Sequence, residues 1–392
     1  MKALLGIAAA LALALAGCSS SETEEGEAEG VVPGPPSFQN LDPHVAYTGM
    51  DTCRSCHLGV HSTYVESGMA RSLTPLDAHD GATAEKGWVV GSGEHLAALL
   101  GRGALACRQA GSAEWVPCED GNQHVPEAID ERACLGCHDV ADPLRVPAPR
   151  GVDCERCHGP GELHVARWKN SSERGTGSAD PTIVNPRRLP PSSRMAVCLQ
   201  CHLGDLRETA RIARDGHSAE QFRPGMPFDA IWSTWRVSRP SPVEFGVASQ
   251  GDRLLRSRCF VESDGRMDCT TCHNPHVSVY RDDRPPDLFR VQCLGCHAVE
   301  ACLAPAQARA STTPADDCVD CHMRRAEPVD QRGTQYTDHW IRANPAVEIA
   351  KAACDVEPVL EPAEPDPEEE AYRARALAEL CTASRTGVSA PD

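Results

Sequence analysis

Apolar positions in this chain fall into one long block and many short ones. The block runs from Ala3 to Ala16, directly after Lys2, and stops at Leu15-Ala16-Gly17-Cys18. It is too short to span a bilayer as a mature helix. A charged start, an apolar stretch and a small-residue end make an export signal. A cysteine where the run stops predicts cleavage before Cys18 and lipid on its sulfur, and Ser19 behind it matches outer-membrane sorting. An ordinary secretory signal is the alternative, and both readings export the chain. Ser19 to Ser37 is rich in glutamate and holds no aromatic or basic residue, so it cannot bury enough apolar surface to order itself. Between Gly87 and Cys118 short apolar runs are broken by glycines, which predicts a small irregular β region. Arg167 to Met195 is polar and Pro-rich and reads as a boundary between sub-modules. Glu357 to Glu368 is acidic and Pro-rich and reads as a linker, and Glu369 to Thr382 as one helix. The resulting division is a signal over 1–17, an acidic disordered tether over 18–44, a main domain over 45–345, and a linker with a C-terminal helix over 346–392.

Composition changes the picture of the main domain. Only 4% of the 392 residues are aromatic, and Gly and Pro number 31 each. Few large side chains remain to build an interior. In their place stand 21 cysteines and 16 histidines. A net charge of −18 argues against a nucleic-acid partner. So many cysteines also argue against a reducing compartment.

The cysteines are ordered. Cys-x-x-Cys-His occurs seven times: Cys53/Cys56/His57, Cys134/Cys137/His138, Cys154/Cys157/His158, Cys198/Cys201/His202, Cys269/Cys272/His273, Cys293/Cys296/His297 and Cys318/Cys321/His322. Chance would supply roughly 0.05 copies. Two thiols at this spacing reach the two vinyl groups of one haem, and the adjacent imidazole ligates its iron. Zinc ribbons share the cysteine pairs but need no histidine after each one. A disulfide framework would not repeat one strained ring seven times. Seven covalently attached c-type haems are expected, one per roughly 39 residues from Cys53 to His322. At that density the porphyrins themselves become the interior. The expected fold is mainly α with much irregular structure: short helices and loops around a haem-packed core, plus the small β region between the first and second motifs. Ferric haems with ionised propionates would add about −7 to the charge, which favours basic partners or divalent cations.

A low-spin carrier needs a sixth ligand on each iron. Nine histidines remain: His44, His61, His79, His95, His124, His164, His217, His276 and His339, with Met69 as a further candidate. His61 lies one helical turn after His57. His164 follows His158 across Gly159-Pro160-Gly161, and His276 follows His273 with Pro275 between. Both lie too near their own motif to grip the second face of the same ring, so each is expected on a neighbouring haem. The preferred set is His164, His276, His339, His61, His95 and Met69.

The segments TGMDTCRSCH, GVDCERCHGPGELH, RSRCFVESDGRMDCTTCHNPH, DDCVDCHM and YTDHWIR resemble the exported multihaem c-type cytochromes of the tetrahaem and hydroxylamine-oxidising superfamily. The resemblance spans about residues 46–343. It implies that the histidine after CHGPG, His164, and that of CHNPH, His276, are distal ligands. It also implies that Met69 occupies a segment where relatives carry Met or His.

Beyond the fourteen motif cysteines and Cys18 lie Cys107, Cys118, Cys259, Cys302, Cys354 and Cys381. In an oxidising compartment three disulfides are expected, with Cys107–Cys118, Cys354–Cys381 and, by elimination, Cys259–Cys302 as one of several connectivities. The function expected is a lipid-anchored electron conduit in the cell envelope. Redox proteins of the envelope are its partners, Cys18 its membrane attachment, and the outer membrane its site, facing periplasm or cell surface. The alternative is an oxidoreductase acting on a small nitrogen or sulfur compound at one open iron. Nitrite-reducing relatives mark that iron with Lys in place of the motif histidine, and no copy here does. Hydroxylamine-oxidising relatives use a cross-linked Tyr, and nothing singles out Tyr47, Tyr64, Tyr280, Tyr336 or Tyr372. A structural or haem-storage protein is the third reading.

Overall fold

A computed structural model describes residues 37–75, 87–90, 95–100, 104–109, 116–117, 137, 151–169, 171, 180–204, 208–281, 283–329, 335–343, 355–360 and 367–383. All belong to one unit, Pro35–Asp392. The signal segment, Cys18, His79, His124, Cys118, Cys134, His138 and Cys354 lie outside the described residues, and His95 and Cys107 are described through their backbone alone.

Short helices carry the motifs. They include Met50–Arg54, Glu155–His158, Pro191–His202, Cys269–Cys272, Leu288–Leu294 and Cys318–His322. The local reason is the same throughout. Cysteines three apart share one face of a helical turn. The turn closes when the histidine amide donates to the first cysteine's carbonyl, at 2.9 Å for His57 and 3.0 Å for His158, His273 and His297. Two of these turns carry aspartate caps. Asp268 accepts from the Thr270 amide at 2.7 Å and Asp317 from the Val319 amide at 2.9 Å.

The β region expected between the first two motifs is an antiparallel five-stranded sheet: Leu73–Pro75, Gly87–Val90, His95–Leu100, Ala104–Gln109 and Val116–Pro117, in sequence order. A second sheet was not foreseen. Trp232–Val237 lies between Thr209–Ala213 and Val356–Pro358, antiparallel to both. Part of the acidic stretch after residue 345 therefore pairs into a sheet rather than linking, because Val356 is buried there at 4% exposure. The C-terminal helix, Glu369–Ala383, covers this sheet. It places Tyr372, Ala376 and Leu380, spaced four apart, against Ala210, Ile212, Trp235 and Val356. Cys381 on the same helix is disulfide-bonded.

The interior is less purely a haem interior than the composition suggested. Helix Pro191–His202 packs Met195, Ala196 and Leu199 against Phe222, Phe228 and Trp232, which contact one another as rings. The scarce aromatics are concentrated where the chain between the fourth and fifth motifs builds an ordinary core.

Three further expectations are corrected. The tether stops short of residue 44: Phe38 and Asn40 are buried, and Gln39 donates to the Pro181 carbonyl at 2.8 Å. The Pro-rich stretch read as a boundary is packed from residue 180 onward, with Val184 fully buried. Cys259 and Cys302 are free thiols. They sit beside different motifs, since Cys259 lies near Cys272 and Cys296, and Cys302 near Cys321.

Candidate functional site

Three pairs of imidazoles face one another. His57 and His164 have ring centroids 6.1 Å apart with planes at 20°, and His158 and His276 6.0 Å apart at 13°. His273 and His339 are 6.0 Å apart at 32°. Two imidazole nitrogens at about 2 Å on either side of one metal, with about 1 Å from nitrogen to ring centre, give roughly 6 Å between centroids. Each pair joins the histidine of one motif to a histidine outside that motif. The first, third and fifth motifs are thus geometrically suited to hold haem iron between two imidazoles.

Local chemistry brings these rings together. Glu155, within the third motif and 1% exposed, accepts from the amides of Thr48, Gly49 and Gly161, each at 2.7 Å. Glu162 accepts from the Ala46 amide at 2.8 Å. These carboxylates lay helix Glu162–Trp168 along the chain entering the first motif, so His164 meets His57 instead of His158. Gly159, at φ +73°, lets the turn pass Asn40, whose side chain donates to the carbonyls of His158 at 2.9 Å and Pro160 at 3.3 Å. A Cβ at Gly159 would lie 2.7 Å from that amide nitrogen. His276 has the Tyr64 ring edge-on at 6.5 Å, and the Tyr64 hydroxyl donates to the Val152 carbonyl at 2.8 Å.

His339 is held most firmly. Arg253, fully buried, donates to Asp338 through Nε at 2.9 Å and Nη2 at 2.6 Å, and to the Ser241 carbonyl at 2.9 Å. Ser257 Oγ donates to the His339 carbonyl at 3.1 Å and accepts from the Ile341 amide at 2.8 Å. This hidden ion pair escaped sequence reading, although Asp338 adjoins His339. An arginine 85 positions away carries no local signal.

The ring nitrogens are prepared for a metal. Nδ1 of His158 is 2.8 Å from the Val184 carbonyl, that of His322 2.8 Å from the Arg342 carbonyl, and that of His339 2.9 Å from the Thr337 carbonyl. Nδ1 of His202 lies 3.1 Å from Gln250 Oε1 and that of His164 2.9 Å from Asp180 Oδ2. Engaging Nδ1 leaves Nε2 and its lone pair for the metal. Burial pushes the His158, His273 and His276 imidazoles below their ordinary range, and burial with nearby His273 brings His339 down to about 4. They are therefore neutral at pH 7, the ligating form.

His61 is buried and its Nε2 finds no hydrogen-bond partner, as suits a ligand atom. Met69 is half-buried against Met50, Tyr64 and Ala70. His44 and His217 are exposed, and His217 Nδ1 lies 3.1 Å from Gln221 Oε1. His57 and His297 are exposed within their own motifs.

The motif cysteines differ in exposure. Cys56, Cys296 and Cys321 are exposed, whereas Cys53, Cys293 and Cys318 of the same three motifs are half-buried. The first motif shows the reason. Helix Met50–Arg54 buries Met50 and carries Cys53 on its inner side. Cys56 comes after the helix end at Ser55, where the chain has turned towards solvent, and its Sγ has the Ser55 hydroxyl at 3.7 Å.

Thiols of different motifs touch. Cys53 lies beside Cys154, Cys137 beside Cys201, Cys198 beside Cys269, and Cys293 beside Cys318. Gln200 also donates to the Arg156 carbonyl at 3.0 Å. Spatial neighbours are thus the first with third, third with fourth, second with fourth, fourth with fifth, and sixth with seventh. Groups attached to these sulfurs would be close neighbours.

Comparison with known proteins agrees with this chemistry. The chain matches the multiheme cytochrome MtrA of Shewanella baltica at 24% identity over 173 residues, covering 42% of this chain and 47% of that protein. It therefore spans about half the length of that relative. Among solved structures, the outer cell wall cytochrome OcwA aligns with TM-score 0.47 and 16% identity over 76% of this chain and 79% of OcwA. The undecaheme cytochrome from the S-layer of Carboxydothermus ferrireducens aligns with TM-score 0.39 and 18% identity over 76% and 52%. No family model matches. The sequence similarity supports a multihaem c-type cytochrome.

Proposed function

We propose that the chain is an exported, lipid-anchored heptahaem c-type cytochrome that passes electrons along a row of covalently bound haems in the cell envelope. The observation that carries this reading is the set of three facing imidazole pairs at 6.0 to 6.1 Å. Bound haem iron supplies one-electron redox chemistry. The chain's own residues do the rest. The fourteen motif cysteines tether the macrocycles, and the seven motif histidines ligate from one side. His164, His276 and His339 would supply the second imidazole at the first, third and fifth motifs, with His61, His95 and Met69 as candidates for others. His164 sits six positions after His158 and His276 three after His273. Each loop therefore ties two haems together and holds their spacing. Two imidazoles per iron would leave no position for a substrate at the first, third and fifth motifs, as a carrier requires. The apolar run ending at Cys18 supports the lipid anchor, the outer-membrane surface as its site, and envelope redox proteins as partners.

Replacing His164 with Ala tests the ligation. Electron paramagnetic resonance should show one iron turning high-spin in a protein that still carries all its haems. Unchanged low-spin signals from every iron would remove His164 from the scheme.

A further inference from the structure

Among the described imidazoles whose Nδ1 has a hydrogen-bond acceptor, His164 alone faces a carboxylate. His158, His322 and His339 face backbone carbonyls, and His202 and His217 face glutamine amides. Asp180 Oδ2 is 2.9 Å from His164 Nδ1 and also accepts from the Trp168 indole. Oδ1 accepts from the Thr182 amide at 2.9 Å and the Thr182 hydroxyl at 2.5 Å, with Arg167 Nη1 at 3.5 Å. The carboxylate is largely buried, at 15% exposure, and His164 is at 26%. Every described partner of this carboxylate other than the His164 ring is a donor, the surroundings of an ionised acceptor. A carboxylate thus sits on Nδ1 of a ring whose centroid lies 6.1 Å from that of His57.

We propose that Asp180 tunes the haem of the first motif, lowering its reduction potential through the Nδ1 hydrogen bond of His164. This rests on His164 being that haem's sixth ligand. A carboxylate acceptor draws the Nδ1 proton outward and makes Nε2 a stronger donor. A stronger donor and a nearby negative charge both favour ferric over ferrous iron, because adding one electron makes the site more negative. Partners of His158 and His339 are uncharged, so the third and fifth motifs lack this bias. Arg167 offsets part of the charge, but its side chain is 40% exposed and screened by water. Asp180 acts through His164 and is a positioning residue.

The test uses the full haem-loaded protein and a spectroelectrochemical titration, with Asp180→Asn, Asp180→Glu, Asp180→Ala and His164→Ala. Asp180→Asn keeps an acceptor oxygen near Nδ1 and removes the charge. One haem should become easier to reduce by about tenfold in its equilibrium constant, about 59 mV for one electron, while every iron stays low-spin. Asp180→Glu should restore most of the shift. If His164→Ala exposes one iron yet Asp180→Asn leaves every potential in place, the tuning role is wrong and the ligation stands. If His164→Ala leaves every iron low-spin, the ligation fails and the tuning role with it. A haem deficit in Asp180→Asn, equal to that of Asp180→Ala, would make the residue purely structural and overturn the proposal.

Discussion

At Asp338 one carboxylate meets two requirements. It neutralises a fully buried arginine, and through the Trp340 amide at 2.9 Å it shapes the turn that presents His339. Removing one partner of such a pair leaves an uncompensated charge out of water, and the cost is roughly 3–5 kcal/mol. Asp338→Ala should therefore lower stability in denaturant titration by that order, and Asp338→Asn by less because it still accepts hydrogen bonds. An unchanged midpoint in Asp338→Ala would mean that Arg253 finds another anion, with Glu208 the near candidate at 3.7 Å. The histidines of the motifs were legible one residue at a time because CxxCH is a contiguous code. Glu155, Asp180 and Arg253 were not, because each acts on a residue distant in sequence.

Elements differ in how much of their own code they carry. The helix Glu369–Ala383 was legible to within a residue, since its apolar positions recur every four residues and its first turn holds Glu369 and Glu370. Its partner sheet was not legible. Thr209–Ala213, Trp232–Val237 and Val356–Pro358 come from separate parts of the chain, and the last sits in a Pro-rich acidic stretch. The burial of Leu380, fully hidden against that sheet, gives a test. Leu380→Ala should cost roughly 2–5 kcal/mol. The haem spectrum should be unaffected at temperatures where the variant stays folded, because this layer is built of protein side chains. A loss of low-spin signal in the folded variant would instead show that the helix supports a haem.

For the whole molecule, the row of motifs dictates mass and charge together. Intact-mass measurement on the exported protein should give a polypeptide beginning at Cys18, lipid on that residue, and seven haem masses. Fewer haems in fully matured protein would mean that one CxxCH motif is not used, and a mass without lipid would return the signal to the ordinary secretory kind. Among the described residues no helix is long and apolar enough to cross a membrane. In the proposed protein, lipid on Cys18 would supply the membrane attachment.

Sequence by itself determined the seven Cys-x-x-Cys-His motifs, the β region after the first motif and the last helix. All of these are written in residues a few positions apart, where spacing and hydrogen-bond rings decide the outcome. Tertiary structure alone decided which imidazole faces which. Of nine spare histidines the sequence favoured His164, His276 and His339, but it named no partner ring for any of them. His164 faces His57 because Glu155 and Glu162 pin the incoming chain, and His339 faces His273 because a buried arginine holds the preceding aspartate. A ligand pair across an iron is a long-range contact between rings, and such contacts depend on packing from all sides rather than on the order of neighbouring residues.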